Sequence, residues 1–565
     1  MLELAVADHL VEALMTVHDE QPRLKHISAV RLALPWLIVI VFAGIGFRSV
    51  APPEPVMTET AADQFSTERA MAHVQVIAAE PHPMGTEANA AVRAYIIDTL
   101  ETLGLDVELH TVSARDYFGD RGLVPVVNVI ARIPGTADTG AVAFMAHYDT
   151  VPATVGANDN TTAVATLLET GRALVAGNPL QNDVLLLFTD GEEPAPQFGS
   201  TAFVEQHRAF GDIGLVVNLE ASGGSGASVL VETSGSEEWL IEQLAIGDSH
   251  PAAFSFLTDL SRRLGEIGTD FDAFRNAGVP GFHFAYLHGS PIYHTDADNI
   301  DSVGWGSLQH HGNHALTIAR QFGTIDLSDP PPEGNAVFFT IRPFFFQYGS
   351  GWVIPLALVG LGVFLGVVMF RSRRSSGISP SLLRDTVAVV GIGLAATTIG
   401  TAGWLAVVAV RPTPGVLEAY FYLLVILTVL TFGTVRFMAR KQRPGDTRIA
   451  IVLLWVIVAV LIAVTLPGFS YLFLWPALVA SIALGWNPRR HALSHIARFA
   501  LVVAPALVLT VPAVDIFFQL AQPRPGNPDS SMPEAAAVPI LLALAVIGLV
   551  RTFWPERGAP NHPDT

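Results

Sequence analysis

From residue 350 onward, apolar runs of membrane-crossing length follow one another at about 351–370, 386–410, 416–435, 449–466, 469–486, 499–520 and 535–554. About 20 apolar residues in a helix cross the hydrocarbon core of a bilayer, and inside that core only helices or closed barrels satisfy their own backbone polar groups. Seven such runs in succession predict a seven-span helical region over 350–555, followed by a cytoplasmic tail, 556–565. An eighth run, 32–47, follows a polar leader, residues 1–31. It is short for a span. It also lies too far from the start for an ordinary signal peptide and lacks a small-x-small cleavage site, so 32–48 reads as an uncleaved membrane anchor.

The linkers between the runs sort by charge. RSRR at 371–374 with Arg384, RFMARKQR at 436–443, PRRH at 488–491 with Arg498, and the tail after Arg551 are basic. The alternate linkers, RPTPG, LPGF and QPRPGNPDSSMPE, are short or nearly neutral. Basic linkers stay on the cytoplasmic side. Counting through the spans then puts the N-terminus and residues 1–31 inside, and residues 49 and 350 outside. The expected topology is eight spans in a lipid bilayer, with the segment 50–349 on the extracytoplasmic face. Glu418 and Asp515 are the ionisable groups within the spans; both fall near outer ends and read as interfacial positions.

Charge separates the segments further. The formal net charge of −19 divides into −26 for 50–349, +8 for 350–565 and −1 for 1–49. So acidic a domain disfavours nucleic acid as a partner. The chain has no cysteine, which excludes disulfides and thiolate zinc sites; any metal must be held by histidines and carboxylates. Within 50–349, candidate strands at 124–133, 141–146, 184–188, 215–219 and 279–286 alternate with helical patterns at 90–103, 161–175, 200–209, 237–244 and 270–277. That alternation predicts an α/β domain with a mostly parallel central sheet flanked by helices, followed by the all-α membrane region.

Ionisable side chains gather after these strands. The run 141–146 is apolar without interruption, as in a strand buried on both faces, and delivers His147 and Asp149 to its end. Residues two apart in a strand face the same side, so the pair can lie together, with His147 a metal ligand and Asp149 its orienter. Asp159 follows just before a helical segment, an N-cap position, and is a second candidate ligand. Glu192 and Glu193 follow 184–188, Glu220 follows 215–219, and His294 follows 279–286. In open α/β sheets, sites form beyond the carboxyl ends of strands. Of two adjacent glutamates, one can bind a metal while the other takes a proton from water acidified by it.

The set HYD, AND, GEE, NLE and YHT resembles the co-catalytic di-zinc exopeptidases related to bacterial aminopeptidases, glutamate carboxypeptidase and glutaminyl cyclase. HPMGTEAN at 82–89 is similar to a segment preceding the metal domain in that family, and the likeness covers about 60–320. With its added spans, the chain resembles the membrane-bound branch, the vacuolar-membrane and endoplasmic-reticulum metallopeptidases. The resemblance implies two zinc ions per chain, one held by His147, Asp159 and Glu220 and the other by Asp159, Glu193 and His294. Asp159 would bridge them, with a cis peptide to Asn160. It also implies Glu192 as general base and acid, Asp149 hydrogen-bonded to His147, and Tyr293 as an oxyanion-stabilising group. Glu220 stands where many soluble members have Asp; either carboxylate ligates zinc. Asp270 matches a family segment near the substrate pocket and equally suits a helix N-cap. His283 and His288 read as non-ligands, and His310 and His311 as helix-surface residues.

The expected function is a membrane-anchored zinc exopeptidase that hydrolyses peptides outside the cytoplasm through a hydroxide bridging the metals. The acidic domain would attract a free α-ammonium group, which favours an aminopeptidase. Alternatives are a glutaminyl-cyclase-like acyltransferase with one metal, and a catalytically silent receptor or complex subunit; complete ligand positions speak against the latter. The one glycosylation sequon, Asn160-Thr161-Thr162, lies in the expected site, which favours a bacterial cytoplasmic membrane over a vacuolar or reticular one.

Overall fold

The structure, a computed structural model, describes residues 22–555 apart from 58, 138, 194–196, 248–250, 266, 329–333, 375–380, most of 411–443, 487–491 and 529–531. The leader before residue 22, most of the 416–435 run with Glu418, and the tail 556–565 lie outside the described residues.

The unbroken apolar segments form the centre of an eight-stranded mixed sheet of order β1-β2-β4-β3-β5-β8-β6-β7. The strands are β1 (Val107–Arg115), β2 (Leu123–Ile133), β3 (Ala141–His147), β4 (Val184–Thr189), β5 (Ile213–Ala221), β6 (Val229–Ser234), β7 (Ala252–Ala253) and β8 (Gly281–Tyr286). The four inner strands β4, β3, β5 and β8 are mutually parallel, as the alternation predicts. β2 and β6 join them antiparallel, and β1 pairs antiparallel with β2.

Helices cover both faces. Ordered along the chain, α1 (Pro22–Arg48), α2 (Thr67–Ile77), α3 (Glu87–Thr102), α4 (Ala163–Val175), α5 (Phe198–Gln206), α6 (Glu237–Gly247), α7 (Ser255–Leu264), α8 (Phe271–Asn276) and α9 (Trp305–Phe322) precede the hairpin β9 (Ala336–Ile341) and β10 (Phe344–Gly349). The strand period of two sorts β3 between the layers. Val142, Phe144 and Ala146 enter the core shared with α2, α3, α4, α6 and α9, whereas Ala143 and Met145 enter the core under α5 and α8. Every residue of β3 is buried, so its only chemically useful end is the one where the apolar run stops, at His147.

The membrane region comprises α10 (Val353–Arg374), α11 (Ser381–Val410), α12 (Pro444–Thr465), α13 (Ser470–Gly485), α14 (Ala492–Leu520) and α15 (Ala537–Phe553). Among the described residues, five helices are long and apolar enough to cross a membrane, and 33–48 and 537–553 are shorter apolar helices. The α/β domain sits directly on their ends. The Phe256 ring lies 5.4 Å from that of Phe517 and 5.8 Å from that of Phe469, and Phe339 stacks on Tyr471 at 4.5 Å. The Ser255 hydroxyl donates to the Gly468 carbonyl at 2.7 Å. These contacts continue one apolar core from the hairpin and α7 into the helices, so the two regions are packed together and not merely tethered.

Candidate metal centre

The carboxyl ends of β3, β4, β5 and β8 bring together all eight residues singled out from the sequence: His147, Asp149, Asp159, Glu192, Glu193, Glu220, Tyr293 and His294. His147 Nε2 lies 3.3 Å from Asp159 Oδ1 and 3.6 Å from Glu220 Oε2. His294 Nε2 lies 3.1 Å from Asp159 Oδ2 and 2.9 Å from Glu193 Oε2. The two oxygens of Asp159 thus face different histidines. Two groups that could each hold a metal ion result, His147–Asp159–Glu220 and Asp159–Glu193–His294, sharing Asp159.

The donor set fits zinc. Ligands about 2.0–2.2 Å from a tetrahedral ion lie about 3.3–3.6 Å apart, close to the spacings around His147. Asp159 Oδ2, Glu193 Oε1, Glu220 Oε1 and His294 Nε2 are buried without a directed hydrogen bond. Polar atoms so placed are costly unless something else satisfies them, and a shared cation would do so.

Local structure explains the placement, with two departures. The His147 Nδ1 contact is to the carbonyl of Asp149, at 3.1 Å, whereas the Asp149 carboxylate stands 3.6 Å away, beyond a hydrogen bond. That carboxylate is engaged elsewhere. It accepts the amides of Glu192 at 3.1 Å and Glu193 at 3.2 Å, fixing the turn that carries both glutamates. Asp159 is likewise not an N-cap: it lies in the turn Ala157–Thr162, ahead of α4, with its carboxylate turned towards the histidines. Its peptide bond to Asn160 is cis.

Asp298, within the DADN run and without an assigned role from the sequence, holds this turn. It accepts the Asn158 amide at 2.8 Å, the Asn158 side-chain amide at 2.8 Å and the Asp159 amide at 3.1 Å. Asp270 precedes α8 without capping it; it is buried and accepts the Thr189 hydroxyl. His310 and His311 are buried, not on the helix surface, because α9 packs under the sheet. His310 accepts the Ser228 amide at 3.1 Å, and His311 reaches the Ser228 hydroxyl at 2.8 Å and the Glu220 carbonyl at 3.1 Å. Burial lowers His311 to about 3, so it is neutral beneath Glu220. His283, also lowered to about 3 by burial, contacts Asn218 and is no ligand.

The carboxylates titrate under strong mutual influence. Burial pushes Glu193 up to about 7, with the Asp159 charge adding, and pushes Glu220 to about 7 against the pull of His147. Burial also raises Glu192 well above its ordinary value. Asp159 goes the other way: burial would raise it, but His147 and His294 hold it at about 2. Burial would lower His294, yet Glu193 and Asp159 raise it to about 10. The metal-free cluster therefore keeps protons that a metal must displace. Zinc affinity should rise from pH 6 to pH 8, about tenfold per unit for each proton displaced, measured by competition with a chromophoric chelator. A flat profile would contradict this picture.

One edge of the α/β domain's sheet thus carries two histidine–carboxylate groups that share an aspartate and could each hold a metal ion. Residues 128–319 match the family model described as Peptidase family M28. The chain is 29% identical over 331 residues to the vacuolar membrane protease of Candida albicans, the match covering 58% of this chain and 38% of that protein. It is 28% identical over 317 residues to human endoplasmic reticulum metallopeptidase 1, covering 53% and 34%. The matches thus span little more than a third of the length of these curated relatives. A glutaminyl cyclase structure from an Acidobacteriales bacterium aligns with a TM-score of 0.38 at 22% identity, covering 48% of this chain and 99% of that one. The resemblance to di-zinc exopeptidases and to their membrane-bound branch is borne out by the family match and the named relatives.

Proposed function

We propose that this chain is a multi-pass membrane metallopeptidase of aminopeptidase type. It carries two zinc ions, and its peptidase domain lies on the extracytoplasmic face of a bacterial cytoplasmic membrane. Eight spans, set by the charge pattern of the linkers, give that orientation. The observation that carries the reading is the sharing of Asp159 between two donor groups with Glu192 close by, its Oε2 3.8 Å from His147 Nε2.

Zinc, when bound, polarises the scissile carbonyl and lowers the pKa of water to about 7. His147, Asp159 and Glu220 hold one ion, and Asp159, Glu193 and His294 the other. Glu192 is outside both groups, which leaves its carboxylate to accept a proton from the attacking water at Oε2 and pass it to the leaving amine. Cations beside it reverse the metal-free situation and favour its charged form. Asp149 keeps Glu192 and Glu193 in register through their amides. Tyr293, stacked on the His294 ring at 3.9 Å, supplies a hydroxyl for the oxygen on which negative charge develops.

The charge of −26 on 50–349 draws substrates with a free α-ammonium group, hence aminopeptidase over carboxypeptidase. The test is a panel of matched peptides, N-terminally free, N-acetylated and with N-terminal glutamine, given to the zinc-loaded full chain. Hydrolysis of the free series at a rate at least 100-fold that of the acetylated series is expected. Equal rates would sink the aminopeptidase assignment, and cyclisation of the glutamine peptides in place of hydrolysis would replace it.

A further inference from the structure

The loop that carries Tyr293 and His294 has little regular structure of its own. It runs from the end of β8 through a single 3-10 turn, Ser290–Ile292. His294 has φ 57, a left-handed conformation uncommon for a side-chain-bearing residue. Such a conformation persists where surrounding contacts determine it. Here the α/β domain holds one side of the loop, through backbone pairing of His288 with Ser225, and the membrane region holds the other.

Four contacts tie the loop to the end of α14 and the turn after it. His288 Nε2 lies 2.7 Å from the Asp515 carboxylate. The Ser290 hydroxyl donates to the Gln519 carbonyl at 3.2 Å. The Arg524 guanidinium, 8% exposed, lies 5.5 Å above the Tyr293 ring. Gly526 lies against the backbone of the metal-ligand segment itself. A Cβ there would come within 2.3 Å of the His294 carbonyl oxygen and 2.5 Å of that of Tyr293. No side chain fits between the two backbones. Asp515 is thus more than an interfacial residue, and His288, no ligand, has a role beside the ligands.

We propose that residues 515–526 of the membrane region are a structural part of the second metal group: they hold the 288–294 loop and so position His294 and Tyr293. The α/β domain supplies the first group, His147–Asp159–Glu220, from its own strands and turns. It supplies Asp159 and Glu193 of the second group in the same way, but the loop that carries His294 rests against the end of α14 and the turn after it. This gives the membrane helices a function in the peptidase site beyond anchoring it. Asp515, Gly526 and Arg524 are positioning residues, acting through His288, His294 and Tyr293 respectively. The inference rests on the reading of the two groups as zinc sites.

The test is titration of the full chain in detergent, stripped with chelator, with cobalt(II), whose visible absorption reports each occupied site. The wild type is expected to take two equivalents. Gly526→Val and Asp515→Leu should keep the first equivalent at wild-type affinity and bind the second at least tenfold more weakly. Asp515→Asn, which keeps an acceptor at the same place, should restore most of the second. Leu501→Ala, on an exposed part of α14, should behave as wild type. Two equivalents at wild-type affinity in both Gly526→Val and Asp515→Leu would overturn the proposal. So would parallel loss of both equivalents, which would mark general unfolding. A wild type that takes no cobalt at all would instead overturn the zinc reading on which the proposal stands.

Discussion

Replacing Asp159 with alanine is expected to remove both metal ions together and to lower kcat/KM by at least about 10³-fold, because each ion is asked to supply several kcal/mol of transition-state stabilisation. The reasoning is geometric. Asp159 Oδ1 faces His147 at 3.3 Å and Oδ2 faces His294 at 3.1 Å, so no other side chain belongs to both groups. Loss of Glu220 would deprive one group of a ligand, and loss of Glu193 the other. Loss of Asp159 leaves each group with one histidine and one glutamate, fewer than the three protein ligands usual for catalytic zinc. The carboxylate is buried and held at about 2, against the raising effect of burial, by His147 and His294. Without it the two histidines face only the glutamates, and protons fill the space that cations would occupy. Metal analysis after dialysis decides the matter. Two zinc equivalents retained by the alanine variant would refute the bridging role, and one retained equivalent would show that the groups do not depend on a common residue.

How far the site could be read from the sequence depended on whether its parts were local. His147, Glu192, Glu193, Glu220 and His294 follow strands made obvious by unbroken apolar runs, and a strand's carboxyl end is where a parallel sheet places its chemistry. β1 carries no such signal: VELHTVSAR is mostly exposed and polar, as suits a sheet edge, and the pattern passes for a loop. The final hairpin, β9 and β10, falls inside the 50–349 segment, but no candidate strand is read there after 279–286. α9 misleads through its histidines. A polar residue on a helix suggests the surface, but Ser228 and the Glu220 carbonyl satisfy His310 and His311 in the interior, and those partners are about 80 or more residues away in the chain. The same holds for Asp298, whose importance lies in amides 139 and 140 residues before it. Contacts of α14 with the His294 loop reach further still, as with Asp515 and His288, 227 residues apart. No local pattern announces a pairing across two regions that composition reads as separate.

Glu192→Gln should lower kcat by about 10²–10⁴-fold, the usual range for a general base, while zinc content and KM stay near wild type. The expectation depends on separating Glu192 from Glu193 although they are neighbours. Their amides share the Asp149 carboxylate, so the backbone of the turn is fixed without the Glu192 side chain. Their side chains diverge: Glu193 meets His294 at 2.9 Å inside a donor group, whereas Glu192 comes no nearer than 3.8 Å to His147 and belongs to neither group. Glutamine keeps the size and one acceptor but cannot take up a proton, so binding persists and turnover fails. Glu193→Gln should instead show its loss first in metal content. The two variants therefore separate base from ligand with a pair of measurements, zinc equivalents and kcat. A Glu192→Gln enzyme within tenfold of wild-type kcat would remove Glu192 from the chemistry. One that loses zinc along with activity would make it a ligand.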